Sequence, residues 1–212
     1  MSLSTKRVHR ELQVEDGGRV LTNREKSGQR WGQFSEFFGT CSSPIPLRPS
    51  PSALTTPRYW ETHSRLQWNQ GLGGPLLEMG VCESSSLDKS YFVSDLPGSW
   101  SCVSVWDSCH RHPGDHLCIQ VLRERSQVGD CITVSPLTPG TVINISLGLV
   151  LDVGRGKLLH KFDARFQEEV YPVFYVEPLL HYCDVITRLV SGRDISVTDT
   201  KLALIQEARR GD

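Results

Sequence analysis

The chain has 212 residues, of which 38% are hydrophobic and 22% charged, with a formal net charge of -1 at pH 7. These values fit one large all-β domain or two small ones, with enough apolar residues for a core without disulfides or metals. The charge offers no general attraction to nucleic acid or an anionic membrane, and we expect neither a secretory leader nor a membrane span.

The cysteines indicate the compartment. An odd number at irregular spacing, without a leader sequence, favours reduced thiols over a disulfide framework. We therefore expect a cytoplasmic protein. The seven cysteines are Cys41, Cys82, Cys102, Cys109, Cys118, Cys131 and Cys183.

The N-terminal part alternates between polar segments and short apolar runs. Residues 1–10 are polar, and we expect them to be disordered. Residues 12–21 carry apolar side chains on both sides of Asp16-Gly17-Gly18, which predicts a small hairpin. Residues 41–57 contain five prolines, which predicts an extended crossing loop rather than a central strand or a helix.

The middle of the chain shows strand periodicity. Residues 77–82 and 117–122 are short apolar runs bounded by polar loops, and we interpret both as strands. Residues 100–106 alternate with a period of two, which predicts a strand with Val103 and Val105 on one face. The same alternation places Trp100 and Trp106 on the other face.

The C-terminal part predicts an antiparallel meander followed by a tail. Apolar runs at 147–151, 158–162 and 173–176 are joined by short turns, and 185–190 is a further predicted strand. Thr198 to Thr200 supply a helix N-cap and Gly211 a stop signal, which predicts a short C-terminal helix over 201–210. We expect a disordered segment at 1–10, one β-sandwich at 11–190, and a tail at 191–212.

Five sequence motifs resemble those of the SPRY family in its longer PRY-SPRY form, and they stand along the chain in the order expected for that family. The segment from Leu147 to Phe174 is similar to the C-terminal half of a SPRY domain. The other motifs are Leu12–Val20, Thr56–Glu61, Leu77–Cys82 and Gly98–Trp100. The resemblance covers about residues 10 to 185 and implies an all-β, antiparallel β-sandwich of SPRY type, here with the short C-terminal helix.

SPRY domains are protein-interaction modules, often the target-recognition end of tripartite-motif ubiquitin ligases. The resemblance therefore implies a protein partner, no catalytic residues and no cofactor, with an adaptor role in the ubiquitin pathway as one use. No RING, B-box or coiled-coil segment precedes the motifs, so we do not expect a complete ligase. Carried onto this sequence, the family's binding surface comprises Val103, Val105, Trp106, Asp107, His110, His112, Leu179 and Leu180.

The alternative is a small zinc-binding or thiol-dependent enzyme. The segment Cys109–Cys118 holds two cysteines and three histidines, which are zinc-ligand types. It lacks a Cys-x-x-Cys pair, however, and we favour a solvated loop with no metal.

One departure from the family concerns strand pairing. The segment between Asp152 and Pro172 is shorter than in the family, so one strand is either shared or missing. A missing strand would leave an unpaired sheet edge, and we expect the C-terminal tail or a partner to cover it. The sequence leaves open a stand-alone module, a shortened product of a larger protein, or a truncated form prone to misfolding.

Overall fold

The computed structural model describes residues 2–6, 8, 12–23, 40–42, 58–83, 85, 92–107, 116–134, 137–152, 156–158, 162–194 and 205–209. Within these ranges the chain forms two antiparallel sheets. The strands of sheet 1 are β1 (Gln13–Glu15), β2 (Val20–Thr22), β4 (Arg58–Trp68), β10 (Val142–Asp152), β11 (Lys157–Leu158), β12 (Phe162–Asp163), β14 (Cys183–Asp194) and β15 (Ile205–Arg209). The strands of sheet 2 are β3 (Thr40–Ser42), β5 (Pro75–Glu83), β6 (Trp100–Asp107), β7 (Leu117–Arg123), β8 (Ser126–Gln127), β9 (Ile132–Val134) and β13 (Val170–Val176).

The strand order follows from the pairing of distant segments. Sheet 1 has the order β1-β2-β14-β4-β10-β11-β12, with β15 also paired to β10. Sheet 2 has the order β3-β13-β5-β6-β7-β8, with β9 also paired to β7. The predicted all-β antiparallel sandwich is confirmed. Apart from strands, the described residues contain short 3-10 turns, and none of them forms a helix long and apolar enough to cross a membrane.

The main core lies between the sheets. Alternate residues of β4 and β10 face inward, which is why Trp60, Leu66 and Leu149 are fully buried. A second, smaller cluster lies on the outer face of sheet 2, where Phe92 contacts Tyr175 edge-to-face at 4.9 Å between ring centroids. Strand β5 is therefore buried on both faces, and its sequence is apolar apart from the buried Glu78 and the terminal Glu83.

Gly80 explains an irregularity in sheet 2. A Cβ at this position would lie 1.8 Å from the carbonyl oxygen of Trp100, so only glycine lets β6 approach here. The register between β5 and β6 shifts between Met79 and Gly80, and that between β6 and β7 shifts between Ser101 and Ser104. Both shifts reflect one extra residue in β6 between Ser101 and Ser104, and this bulge breaks the simple alternation predicted for the strand, because one inserted residue exchanges the strand's faces.

The structure corrects the prediction that residues 1–10 are disordered. The backbone N–H of Leu3 donates to the oxygen of Gly18 at 2.7 Å, and the Leu3 side chain is buried in the core. Val8 packs against the same core. Residues 2–4 are therefore part of the fold, since apolar burial at Leu3 offsets the entropy lost on ordering the chain.

The C-terminal tail is a second correction. Residues Ile205–Arg209 form the strand β15, not part of the predicted helix, and the rest of that helix lies outside the described residues. β15 pairs with Val142–Ile145 on the side of β10 away from β4. A ten-residue helix gains little by itself, whereas a sheet edge offers immediate backbone hydrogen bonds. The tail thus covers part of the edge that the short hairpin β11–β12 leaves, as expected.

Candidate protein-interaction surface

Two loops cross between the sheets at one end of the sandwich. Residues 69–74 join β4 to β5, and residues 177–182 join β13 to β14. The register pairs Trp68 with Cys183, so both loops leave sheet 1 at the same place. We call this the crossover end, formed by loops 69–74, 137–141 and 177–182 and the strand ends at Trp106–Asp107 and His116–Leu117.

The predicted tryptophan lies at this end. Trp106 is half-buried and stands opposite Pro75 of β5 and Cys118 of β7. Asp107 ends β6 opposite Leu117. Leu179 and Leu180 follow β13, which flanks β5 on its other side, and both side chains are half-buried. The fold therefore brings the two predicted parts of the surface to one end, with β5 between them.

The valines of β6 occupy a different position. Val103 stands opposite Met79, and Val105 opposite Leu77 and Ile119, and these three partners are core residues. The side chains of both valines lie outside the described part of the structure, as do His110 and His112 entirely. Their place in the binding surface stays a prediction.

Glu177 shapes the loop that carries the predicted leucines. Its side chain is 5% exposed; Oε1 accepts from the backbone N–H of Leu179 at 3.0 Å, and Oε2 accepts from the Tyr175 hydroxyl at 2.9 Å. Burial, followed by the neighbouring Glu177, raises the pKa of Tyr175 well above its usual value. The hydroxyl therefore stays protonated and remains a donor to the carboxylate.

Asn69 holds the same loop from sheet 1. Its Nδ2 donates to the oxygen of Leu180 at 3.0 Å, and its backbone N–H donates to the oxygen of Tyr182 at 2.9 Å. The N–H of Tyr182 in turn donates to the oxygen of Leu179 at 3.0 Å. These bonds satisfy backbone groups that a loop normally leaves to water, so residues 177–182 are held in one defined conformation.

Asn23 holds the loop from the N-terminal hairpin, and sequence reasoning missed it together with Glu177 and Asn69. Its Nδ2 donates to the backbone carbonyl oxygens of Glu177 and Cys183, at 2.7 and 2.8 Å respectively. An asparagine directly after a predicted strand was the available signal. It could not identify partners 154 and 160 positions away in the chain.

The described loops at the crossover end carry little charge. The ionisable side chains in loops 69–74, 137–141 and 177–182 are Glu177, His181 and Tyr182. Glu177 is buried and the His181 ring packs at 4.0 Å from that of Tyr182. The half-buried leucines of these loops are accompanied by six exposed residues, none of which is an acid, lysine or arginine: Gln70, Gly73, Thr138, Pro139, Gly140 and His181. The low charge suits the charge-depleted centre of a protein interface.

The zinc or thiol alternative gains no support here. Most of the segment 109–118 lies outside the described residues, and Cys118 is a half-buried thiol on β7 that forms no disulfide. Within the described part of the chain, no three His, Cys, Asp or Glu side chains group as metal ligands. Burial, with a smaller contribution from Glu83, raises the pKa of the Cys82 thiol to about 12, which disfavours a nucleophilic thiolate.

Comparison with solved structures decides the fold type. The PSpry domain of TRIM65 aligns over 90% of this chain and 91% of its own, with a TM-score of 0.52 at 16% sequence identity. The chain has the SPRY fold. The resemblance read from the strand motifs is thus confirmed for the fold.

Two further solved structures align with lower TM-scores. The SPRY domain of human HERC1 aligns over 88% of this chain and 96% of its own, with 15% identity and a TM-score of 0.36. The winged bean acidic lectin, solved with methyl-alpha-D-galactose, aligns over 90% and 94%, with 13% identity and a TM-score of 0.47. These scores are too low to bear on this chain's fold or function. No protein-family model and no curated protein matches the sequence.

Proposed function

We propose that this SPRY-fold chain is a protein-interaction module that binds a protein partner at the crossover end and has no chemistry of its own. The observation that supports it is the 177–182 loop. Partly buried hydrogen bonds with the side chains of Asn69 and Glu177 hold its backbone, while Leu179 and Leu180 stay partly accessible. A loop fixed on a rigid sheet scaffold loses little entropy when a partner binds.

A capture experiment from cell lysate tests the proposal. Leu180→Asp places a charge in the centre of the proposed surface, and we expect it to abolish capture of the specific partners, because burying an unpaired charge in an interface is strongly unfavourable. Val190→Asp is the matched control. Val190 is a 47% exposed hydrophobic residue on β14, away from the crossover end.

Folding is checked in both variants by circular dichroism and thermal unfolding. Partners that are lost with Leu180→Asp and retained with Val190→Asp support the crossover end as the binding site. Equal capture by wild type and a folded Leu180→Asp variant would show that the surface is elsewhere. Trp106→Ala then reports whether the second predicted part of the surface contributes.

The finer proposal is an adaptor or substrate-recognition role in the ubiquitin pathway. It is supported by the resemblance of the strand motifs to tripartite-motif ubiquitin ligases. Mass spectrometry of the captured proteins tests it: we expect ubiquitin-ligase components or their substrates among the partners that require Leu180. A partner set without them would refute this role and leave the interaction module standing.

We also propose a cytoplasmic location. The described thiols support it, since Cys82, Cys118, Cys131 and Cys183 form no disulfides, as expected in a reducing compartment. Fractionation of cells that express the tagged chain checks this, and recovery from the secretory compartment would contradict it. We keep the predicted domain limits as a working proposal, with residues 2–4 and β15 added to the fold.

A further inference from the structure

Asn23 occupies an unusual position at the end of the N-terminal hairpin. It follows β2 directly and its side chain is 1% exposed. Its backbone N–H donates to the oxygen of Val185 at 3.4 Å, and its Oδ1 accepts from the N–H of Val185 at 2.9 Å. The residue thus extends the pairing of β2 with β14 by one position, using its side chain in place of a backbone carbonyl.

The other half of the same amide reaches both ends of the 177–182 loop. Nδ2 donates to the backbone carbonyl oxygen of Glu177, where the loop begins, and to that of Cys183, where β14 begins. Both amide hydrogens and the amide oxygen are therefore used. One orientation of the side chain fits, because the reverse would place its oxygen against two carbonyls and its NH₂ group against an N–H.

No other residue type reproduces this set of bonds at the same size. Aspartate keeps the bond from Val185 but places a second oxygen against the carbonyls of Glu177 and Cys183. Alanine leaves two carbonyls and an N–H without the partners that Asn23 supplies in a site closed to water. Unmade bonds to buried backbone groups are expensive, so the position requires an asparagine.

We propose that Asn23 is a positioning residue through which the N-terminal hairpin fixes the conformation of the 177–182 loop, and with it the affinity of the crossover end for its partner. The second half of this statement rests on the proposed function. The physical reason is preorganisation: a loop tied at both ends presents Leu179 and Leu180 in one arrangement, and a loosened loop must be ordered again on binding. Asn23 acts through the backbone of Glu177 and Cys183.

Amide hydrogen exchange tests the first half without any partner. In Asn23→Asp and Asn23→Ala, we expect the N–H groups of Leu179 and Tyr182 to exchange about tenfold faster or more relative to those of β10, the factor that corresponds to one net hydrogen bond. Leu21→Val is the matched control, since Leu21 is buried on β2, the strand that Asn23 directly follows. It lowers the stability of the whole domain and leaves the loop-to-sheet ratio of exchange rates unchanged.

The contrary result is equally clear. If the loop and sheet amides accelerate together in both Asn23 variants, Asn23 stabilises the fold without positioning the loop, and the inference is overturned. If neither variant folds, exchange in wild-type protein at low denaturant decides. The inference then predicts that the N–H groups of Asn23, Leu179 and Tyr182 become exposed to exchange in the same opening event. Separate opening events for Asn23 and the loop would overturn it.

Capture of the partners that depend on Leu180 tests the second half. We expect folded Asn23→Asp protein to capture about tenfold less partner than the Val190→Asp control. This is the same factor as the expected increase in the amide exchange rates of the loop. Equal capture by Asn23→Asp protein with a loosened loop would overturn the link to affinity. If the loop loosens but no partner depends on Leu180, the proposed function fails and the positioning of the loop by Asn23 stands.

Discussion

At the crossover end, the contacts that hold the loops are mostly buried, whereas at the opposite end of the sandwich they are mostly exposed and ionic. We call the opposite end the charged end. There the Arg125 guanidinium pairs with both carboxylate oxygens of Asp95, and Glu83 and Glu124 accept from loop N–H groups. The residues that define it are Glu83, Asp95, Glu124, Arg125 and Glu168.

The difference supports the proposal that the crossover end is the recognition surface. Exposed ion pairs contribute little to stability and are screened by salt, so the loops of the charged end can adapt to their surroundings. The bonds around residues 177–182 involve Asn23 and Glu177, which are nearly inaccessible to water. That end keeps one shape, and its accessible part carries almost no charge.

Alkaline pH gives the largest expected effect, because it deprotonates Cys82 and Tyr175, which belong to the small cluster on the outer face of sheet 2. The folded pKa of Cys82 is about 12, against 9.0 for a free thiol. The unfolded chain therefore loses this proton first, and stability falls as pH rises from 9 to 12. Three pKa units correspond to about 4 kcal/mol of unfolding free energy.

Urea unfolding at several pH values measures this loss. Cys82→Ala should remove most of the slope between pH 9 and 10, and Cys131→Ala, at an exposed cysteine, should leave it unchanged. Tyr175 adds to the loss above pH 10 in the same direction, since its folded pKa is also raised. If Cys82→Ala keeps the wild-type slope, the alkaline sensitivity lies at Tyr175, towards the crossover end, instead.

Carboxylates at the two ends give the next largest contrast. Glu177→Ala leaves the Tyr175 hydroxyl and the Leu179 N–H without this acceptor, and we expect the free energy of unfolding to fall by about 3 kcal/mol. Glu83→Ala at the charged end should lower it by about 1 kcal/mol or less, since its contacts are exposed. Equal losses in urea unfolding would contradict the contrast between the ends.

Asn69→Ala should have a smaller and more local effect. It removes the side-chain bond to the oxygen of Leu180, a partly buried contact, and we expect a loss of about 1 kcal/mol. The loss should be accompanied by faster amide exchange at Tyr182 and unchanged exchange in β7. Asn144→Ala, at an exposed asparagine of β10, is the control; an effect of the same size there would argue against a specific role for Asn69.

Arg125→Ala should have the smallest effect. Its contact with Asp95 raises the pKa of Arg125, but the guanidinium is fully exposed and remains charged at any relevant pH. Arg125 also has a positive φ of 68°, which is unfavourable for a non-glycine residue and persists with alanine. We expect no measurable change in the urea midpoint at physiological salt, and a clear drop would show that the charged end is held as firmly as the crossover end.

Local sequence pattern was sufficient for much of the fold. The run at 77–82 lies within β5 and that at 117–122 within β7, because a buried strand needs apolar side chains and glycine or polar residues end it. The order of the strand motifs supplied the sandwich type, which the TRIM65 comparison confirms. The grouping of Trp106 with Leu179 and Leu180 at one end followed from the same resemblance.

Pattern was insufficient wherever a distant segment decided the outcome. Alternation predicted Trp100 and Trp106 on one face, but Trp100 packs in the core and Trp106 stands opposite Cys118, because one extra residue between Ser101 and Ser104 shifts the register of β6. The close approach that Gly80 permits is visible only with β6 in place. A one-residue shift in pairing exchanges the faces of a strand, and sequence periodicity contains no information on it.

The sequence by itself determined most of the main strands of the two sheets, because side-chain period and turn residues act within a few positions of the chain. The tertiary structure alone decided that residues 205–209 pair with β10 as a strand and that Asn23 ties both ends of the 177–182 loop. Buried backbone groups must find partners wherever the fold brings them. Those partners lie at least 60 residues away in one case and more than 150 in the other, beyond the range of any local pattern.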